Sequence, residues 1–244
     1  MASGQVGKYA GSPFHPFTSS PLHRRETMPL TAIIFDMDGL MVDTEPLSRR
    51  AWEQVIAPFA AVLTDEVYGR MIGRRTMEAG HILLEAAEVP LSAEELVGRK
   101  TAVFEQILAQ GVPVMPGLMA LHAEIARRGL PWAVATSSPR HHARQILTQL
   151  SLLEACGAIA AGDEVVHGKP APDIYLLAAE RLGVLPQQCL ALEDSAPGCQ
   201  SAAAAGMTVV AISTSLSLDD FPCANHLFPT LTEMAQSLDM LLRK

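Results

Sequence analysis

The chain lacks any long apolar run: none approaches the ~18 residues that a membrane-crossing helix requires, and no membrane partner is expected. It is also short of cations. Lys and Arg number 18 against 26 Asp and Glu, a net charge of −8. That balance argues against nucleic acid or an anionic membrane surface as partner. A protein this acidic must bind phosphate with a local pocket, because its global field repels anions. The four cysteines, Cys156, Cys189, Cys199 and Cys223, have no close metal-ligand spacing. A chain of 244 residues needs no disulfide staples, so they are read as reduced and structural. There is no internal repeat and no long run of like charge. The first 28 residues, rich in Gly, Ser, Pro and Phe, carry a single acid, Glu26, and no continuous apolar stretch of the kind a secretory signal needs. They read as a poorly ordered tail. The expected location is cytoplasmic, with organellar targeting by the tail left open.

What remains is a core-forming composition, 49% hydrophobic with a mean hydropathy of +0.20. A short apolar run at 31–36 reads as a buried strand, and it ends in Asp36-Met37-Asp38-Gly39. Paired acids at a strand end are either a polar turn or a site where a cation or proton separates them. From Thr44 to about residue 112 the pattern is helical throughout. Pro46 opens a helix expected to reach Phe59. Short helices follow Thr64 and cover about 75–88. A capping box at Ser92 and Glu95 starts a helix with Leu96, Val97, Val103, Phe104, Ile107 and Leu108 on one face, expected to end at Gly111. After Pro116-Gly117, helices and strands alternate: helices at 118–128, 139–150, 173–181, 197–205 and 232–242, and strands at 131–135, 158–160, 189–192 and 208–212. Such alternation implies right-handed crossovers and a parallel sheet covered on both faces. The expected fold is α/β: a doubly wound, Rossmann-like core at 29–43 and 114–244, with a small all-helical cap at 44–113 inserted after the first strand.

Three later strand ends carry complementary groups. Thr136-Ser137-Ser138 precedes a helix, where hydroxyls and free N–H groups suit an anionic oxygen, although an ordinary N-cap has the same look. Gly168-Lys169-Pro170-Ala171-Pro172-Asp173 sets one lysine among turn-formers. Leu192-Glu193-Asp194-Ser195 supplies acids again. In a doubly wound sheet these ends converge on one crevice. Taken in order with Asp36 to Glu45, the four segments resemble the motifs of the haloacid dehalogenase-like hydrolases, and more narrowly the β-phosphoglucomutase-like and sugar-phosphatase branch. The resemblance spans about residues 30–215.

The resemblance implies a role for each matching residue. Asp36 is the nucleophile that becomes an aspartyl-phosphate, and Asp38 the general acid and base. Thr136 and Ser137 hold phosphate. Lys169 balances Asp36 and the moving phosphoryl group. Asp36, Asp38 through its carbonyl, Glu193 and Asp194 hold Mg²⁺, the one cofactor implied. Arg74 and Arg75, between cap helices, and Glu45, past the hinge, are candidate substrate contacts. The partner is a small phosphorylated metabolite, a sugar phosphate in the first instance, and a monomer is the plain expectation. Mutases of this branch carry a histidine five residues after the acid matching Asp43, where this chain has Ser48. Their second motif is commonly Ser-Ala-Ser, where this chain has Thr136-Ser137-Ser138. Both departures favour a phosphatase over a phosphohexomutase, and a non-catalytic binding protein is the remaining alternative. His141 and His142 open the helix that follows Thr136-Ser137-Ser138; a place near the phosphate is one reading, and a plain surface role is the favoured one.

Overall fold

A computed structural model describes Met1, residues 28–72, Arg74, residues 76–213 and residues 218–242. Residues 2–27 of the N-terminal tail and Arg75 lie outside the described residues. The order of elements is β1 (Ala32–Phe35), α1 (Glu45–Ile56), α2 (Asp65–Met71), α3 (Thr76–Ala86), α4 (Ala93–Leu108), α5 (Leu118–Arg128), β2 (Trp132–Thr136), α6 (Arg140–Gln149), β3 (Ala158–Ala161), α7 (Asp173–Leu182), β4 (Cys189–Glu193), α8 (Ala196–Ala204), β5 (Thr208–Ile212), β6 (His226–Phe228) and α9 (Leu231–Leu242).

The sheet is parallel throughout, in the order β3-β2-β1-β4-β5-β6. Strand β1 is buried along its whole length because both of its faces are covered. Its side chains alternate between two cores. Ile33 and Phe35 join Trp132, Val134, Leu190, Leu192 and Val210 against α5, α6 and α9. Ala32 and Ile34 join Ala133, Ala135, Ala191 and Ala211 against α7 and α8. The second face is mostly alanine, which lets two helices approach the sheet closely. On the first face the bulk lies in Phe35 and Trp132, packed edge to face with ring centroids 5.6 Å apart. Each fully buried large side chain of this kind stabilises the fold by roughly 1.5–3 kcal/mol.

The chain runs from β1 outward to β2 and β3, then returns to the other side of β1 as β4. Helices turn away in opposite directions at this switch, which opens a crevice at the carboxyl ends of β1 and β4. Register sets its depth. Phe35 pairs with both Val134 and Leu192, so Asp36 and Glu193 leave the sheet at one level.

Helices α1 to α4 have a third apolar cluster of their own, built on Trp52, Ile56, Leu63, Tyr68, Leu83 and Leu96. Several boundaries depart from the sequence reading. Helix α1 stops at Ile56 and tightens into a 3₁₀ turn at Ala57–Phe59, which Ala60 ends in the left-handed region at φ 55°. Helix α4 stops at Leu108, three residues before Gly111. Strand β6 was not foreseen. It has three half-buried residues, too few for a period-2 signal, and its pairing with β5 defines it.

Candidate active site

The crevice is built around one buried lysine. Lys169 follows β3 and precedes α7, and its Nζ donates to Asp36 Oδ1 and, at 2.6 Å, to Glu193 Oε1. Asp36 is 5% exposed and Glu193 fully buried, so neither acid can rely on water for its charge. The backbone supports both. Asp36 N–H donates to Leu192 O at 2.9 Å, extending the β1–β4 pairing one residue past the strand. The Tyr175 hydroxyl donates to Glu193 Oε1 at 2.8 Å. Glu193 Oε2 accepts from the backbone N–H of Asp194 and Ser195 and from the Ser195 hydroxyl at 2.9 Å. Room for Glu193 comes from Gly198, where an added Cβ would fall 1.8 Å from Oε1.

Asp38 is held apart from this group. Its Oδ1 accepts from the Thr44 hydroxyl at 2.8 Å, and its Oδ2 from the hydroxyls of Thr136 at 2.9 Å and Ser138 at 2.8 Å. Two residues from Asp36 in sequence, it therefore sits in a nest of hydroxyls. Gly39 makes the turn possible: its φ is +90°, and a Cβ there would fall 2.0 Å from Asp194 Oδ2.

Charge at the site is unbalanced. Asp36, Glu193 and Asp194 share the one ammonium of Lys169, and Asp38 adds a fourth carboxylate close enough to repel Asp36. Burial pushes the Asp36 carboxyl well above its usual range; Lys169 opposes this, while Glu193, Asp194 and Asp38 reinforce it. Asp194 is raised to about 7, chiefly by burial and then by Glu193. Burial lowers the Lys169 ammonium, but Asp36 and Glu193 outweigh it and hold the group charged, above its ordinary value. Oxygen atoms of Asp36, Glu193 and Asp194 lie within 4.8 Å of one another. This is a donor set that could hold a metal ion, and hard all-oxygen sites suit Mg²⁺. A divalent cation would also relieve the repulsion recorded in the raised carboxyls.

Of the residues expected from sequence, Asp36, Asp38, Thr136, Lys169, Glu193 and Asp194 meet at this crevice. Thr136 is directed onto Asp38, and its Oγ1 also accepts from Ser138 N–H at 3.0 Å. Ser137 is exposed beside it. Glu45 and Arg74 are exposed residues lining a small pocket of about 90 Å³ with Ser48, Trp52, Tyr68 and Lys100, all from the segment between β1 and α5.

Four contributors escaped the sequence reading. Thr44 and Ser138 complete the shell of Asp38, and Tyr175 completes that of Glu193. Lys100 is the most informative. It is 8% exposed, and its ammonium lies over the rings of Phe104 at 4.5 Å and Trp52 at 5.5 Å. Burial pushes it down to about 8, against the pull of the Glu45 and Asp38 carboxylates. That pull ties the pocket to the crevice. A signal was present: Lys100 stands four residues from both Leu96 and Phe104, on the apolar stripe of α4, where a lysine is out of place.

The chain matches the haloacid dehalogenase-like hydrolase family over residues 30–206. It belongs to that family. This hydrolase is 36% identical over 178 residues to the fructose-1-phosphate phosphatase YqaB of Escherichia coli, covering 73% of this chain and 94% of that one. It is 35% identical to a phosphorylated carbohydrates phosphatase of Thermotoga maritima, covering 73% and 82%. Among solved structures it is similar to CbbY of Rhodobacter sphaeroides in complex with phosphate, with a TM-score of 0.73, 30% identity, and coverage of 84% of this hydrolase and 96% of CbbY.

Proposed function

We propose that this hydrolase is a Mg²⁺-dependent phosphatase that cleaves a small phosphorylated carbohydrate through an aspartyl-phosphate on Asp36. The observation that carries the reading is the division of labour between two aspartates two residues apart. Asp36 touches the lysine and stands with Glu193 and Asp194, while Asp38 touches only hydroxyls among the hydrogen bonds recorded for it. A nucleophile needs an ionised, fixed oxygen, and a proton donor needs partners that tolerate both of its states.

The Asp36 oxygen attacks phosphorus while the bond from phosphorus to the ester oxygen breaks, and the proton on Asp38 passes to the departing oxygen. Water then attacks the phosphorus of the aspartyl-phosphate. Asp38 takes that proton, the Asp36–phosphorus bond breaks, and inorganic phosphate leaves. The hydroxyls of Thr44, Thr136 and Ser138 suit this cycle, because each can donate to an ionised Asp38 and rotate to accept from a protonated one. Lys169 supplies fixed positive charge where phosphoryl oxygens gather negative charge. Asp36 and Asp194, with Glu193 and the Asp38 carbonyl, would hold Mg²⁺, which would supply further charge neutralisation. Glu193 already accepts from Lys169, Tyr175 and Ser195, so it is also the group that aims the lysine.

The helices at 44–113 act as a cap, with Lys100, Arg74 and Glu45 facing the part of the substrate that does not react. Lysine and arginine recognise hydroxyls and anionic oxygens of a sugar phosphate. Ser48 lines the cap pocket at the position where mutases of the branch carry a histidine, which favours hydrolysis over transfer. The names of the relatives, which concern fructose 1-phosphate and phosphorylated carbohydrates, support the same substrate class. The test is purified protein with Mg²⁺ against hexose, pentose and polyol phosphates. Release of inorganic phosphate is expected. Isomerisation without release would identify a mutase, and no reaction with any of them would sink the assignment.

A further inference from the structure

Glu105, on α4, meets His141 and His142, on the first turn of α6, in a cluster separate from that of Asp36, Glu193 and Asp194. We propose that these three side chains form a second metal site, specific for a borderline transition ion such as Zn²⁺, that pins the helical insert to the sheet domain.

The spacing is close to that of a coordination sphere, with the three donor atoms within 4.8 Å of one another. His141 Nε2 lies 3.3 Å and His142 Nε2 3.7 Å from the same oxygen, Glu105 Oε1. Donors held ~2.0–2.2 Å from a tetrahedral ion stand about 3.3–3.6 Å from one another. The donor set, two imidazoles and a carboxylate, suits Zn²⁺ and is wrong for Mg²⁺, which takes oxygens.

A second observation is independent of the spacing. The sequence reading put His142 on the surface, but it is only 6% exposed, because Phe104 on α4 packs edge to face against its ring at 5.5 Å. Its Nε2 is buried without a hydrogen-bond partner among the described residues. Buried polar atoms normally find partners, and one left orphaned beside a carboxylate and a second imidazole points to a ligand. The His141–Glu105 contact does not satisfy it.

Its place gives the site a consequence. Helix α4 carries Lys100 as well as Glu105, and α6 directly follows Thr136-Ser137-Ser138. An ion here would fasten the cap to the sheet domain and slow turnover by hindering product release. This consequence rests on the cap reading above, whereas the binding site does not.

The test is Zn²⁺ binding at saturating Mg²⁺, followed by competition with a chromophoric chelator, for the wild type and for Glu105→Gln, His141→Ala and His142→Ala. One equivalent is expected in the wild type, with affinity falling on the order of 10²-fold in each variant. Asp194→Asn is expected to retain that equivalent, and Co²⁺ in its place should show the intense visible bands of a tetrahedral site. His141 is exposed, so its variant reads the site without disturbing the core. Zn²⁺ should slow the wild type and spare Glu105→Gln, whose turnover with Mg²⁺ and no Zn²⁺ is unchanged. Unchanged affinity in all three variants, or an equivalent lost only with Asp194→Asn, would overturn the site. Zn²⁺ binding as predicted without inhibition would overturn the pinning alone, and neither result bears on hydrolysis.

Discussion

The crevice of the sheet domain and the pocket of the helical insert hold charge in different ways. In the crevice, Lys169, Asp36 and Glu193 are all at least nine-tenths buried and bound to one another, with Tyr175 and Ser195 completing the set. Strand register places them. In the pocket, Arg74 and Glu45 are exposed, and Lys100 is buried against aromatic rings. Helices α1 and α4 place Glu45 and Lys100, and the connection between α2 and α3 places Arg74. The first arrangement suits chemistry that needs fixed atoms, and the second suits recognition of a substrate that must enter and leave.

Substitutions should therefore damage the two regions in different currencies, kcat in one and KM in the other. The largest effect is expected from Asp36→Asn, whose amide neither attacks phosphorus nor carries charge. Turnover should fall by ~10⁴-fold or more, measured as phosphate release. Next is Lys169→Met, which should lower kcat by ~10²–10³-fold. It should also destabilise the fold by about 3–5 kcal/mol in urea unfolding, because two buried carboxylates lose their cation. A mutant as stable as the wild type would break the claim that the lysine holds the crevice together. Tyr175→Phe removes a hydrogen bond to a fully buried carboxylate and should cost ~1–3 kcal/mol of stability.

In the insert, Lys100→Met should raise KM for a sugar phosphate by ~10-fold and leave kcat nearly intact. Its pH profile sharpens the point. Burial sets the lysine near 8, so the ammonium is present below that pH and lost above it. Wild-type kcat/KM should fall as pH rises through about 8, and the fall should vanish in Lys100→Met. The sign for stability is opposite. The unfolded chain, with an ordinary lysine near 10.5, holds more protons above pH 8, so Lys100 contributes a penalty that is relieved as pH rises between the two values. The smallest effect belongs to Arg74→Ala. A several-fold rise in KM for the sugar phosphate is expected, with p-nitrophenyl phosphate unaffected.

Legibility in the sequence followed the same divide. Strand ends and their acids could be read because buried parallel strands are unbroken apolar runs and because polar groups there have few structural reasons to exist. The strand ends drew attention to Asp36, Lys169 and Asp194, and the family resemblance supplied their roles. The partners of Asp38 were harder. Thr44 looks like an ordinary hinge residue, and only the fold brings Ser138, one hundred residues away, to its carboxylate. Lys100 was hidden by a habit of reading charged residues on helices as solvated, although its neighbours at four-residue spacing are apolar. His142 was misread because a helix's first turn is usually exposed, and the covering residue, Phe104, comes from the insert. Short strand β6 had no periodicity to read.

The central claim is that Asp36 carries the phosphoryl group. It is tested most directly by acid-quenching the enzyme during turnover, reducing any acyl phosphate with borohydride, and sequencing the peptides by mass spectrometry. The account predicts homoserine at position 36, absent without substrate and absent in Asp36→Asn. Phosphate release at full rate with an unmodified Asp36, or with homoserine at another acid, would contradict it.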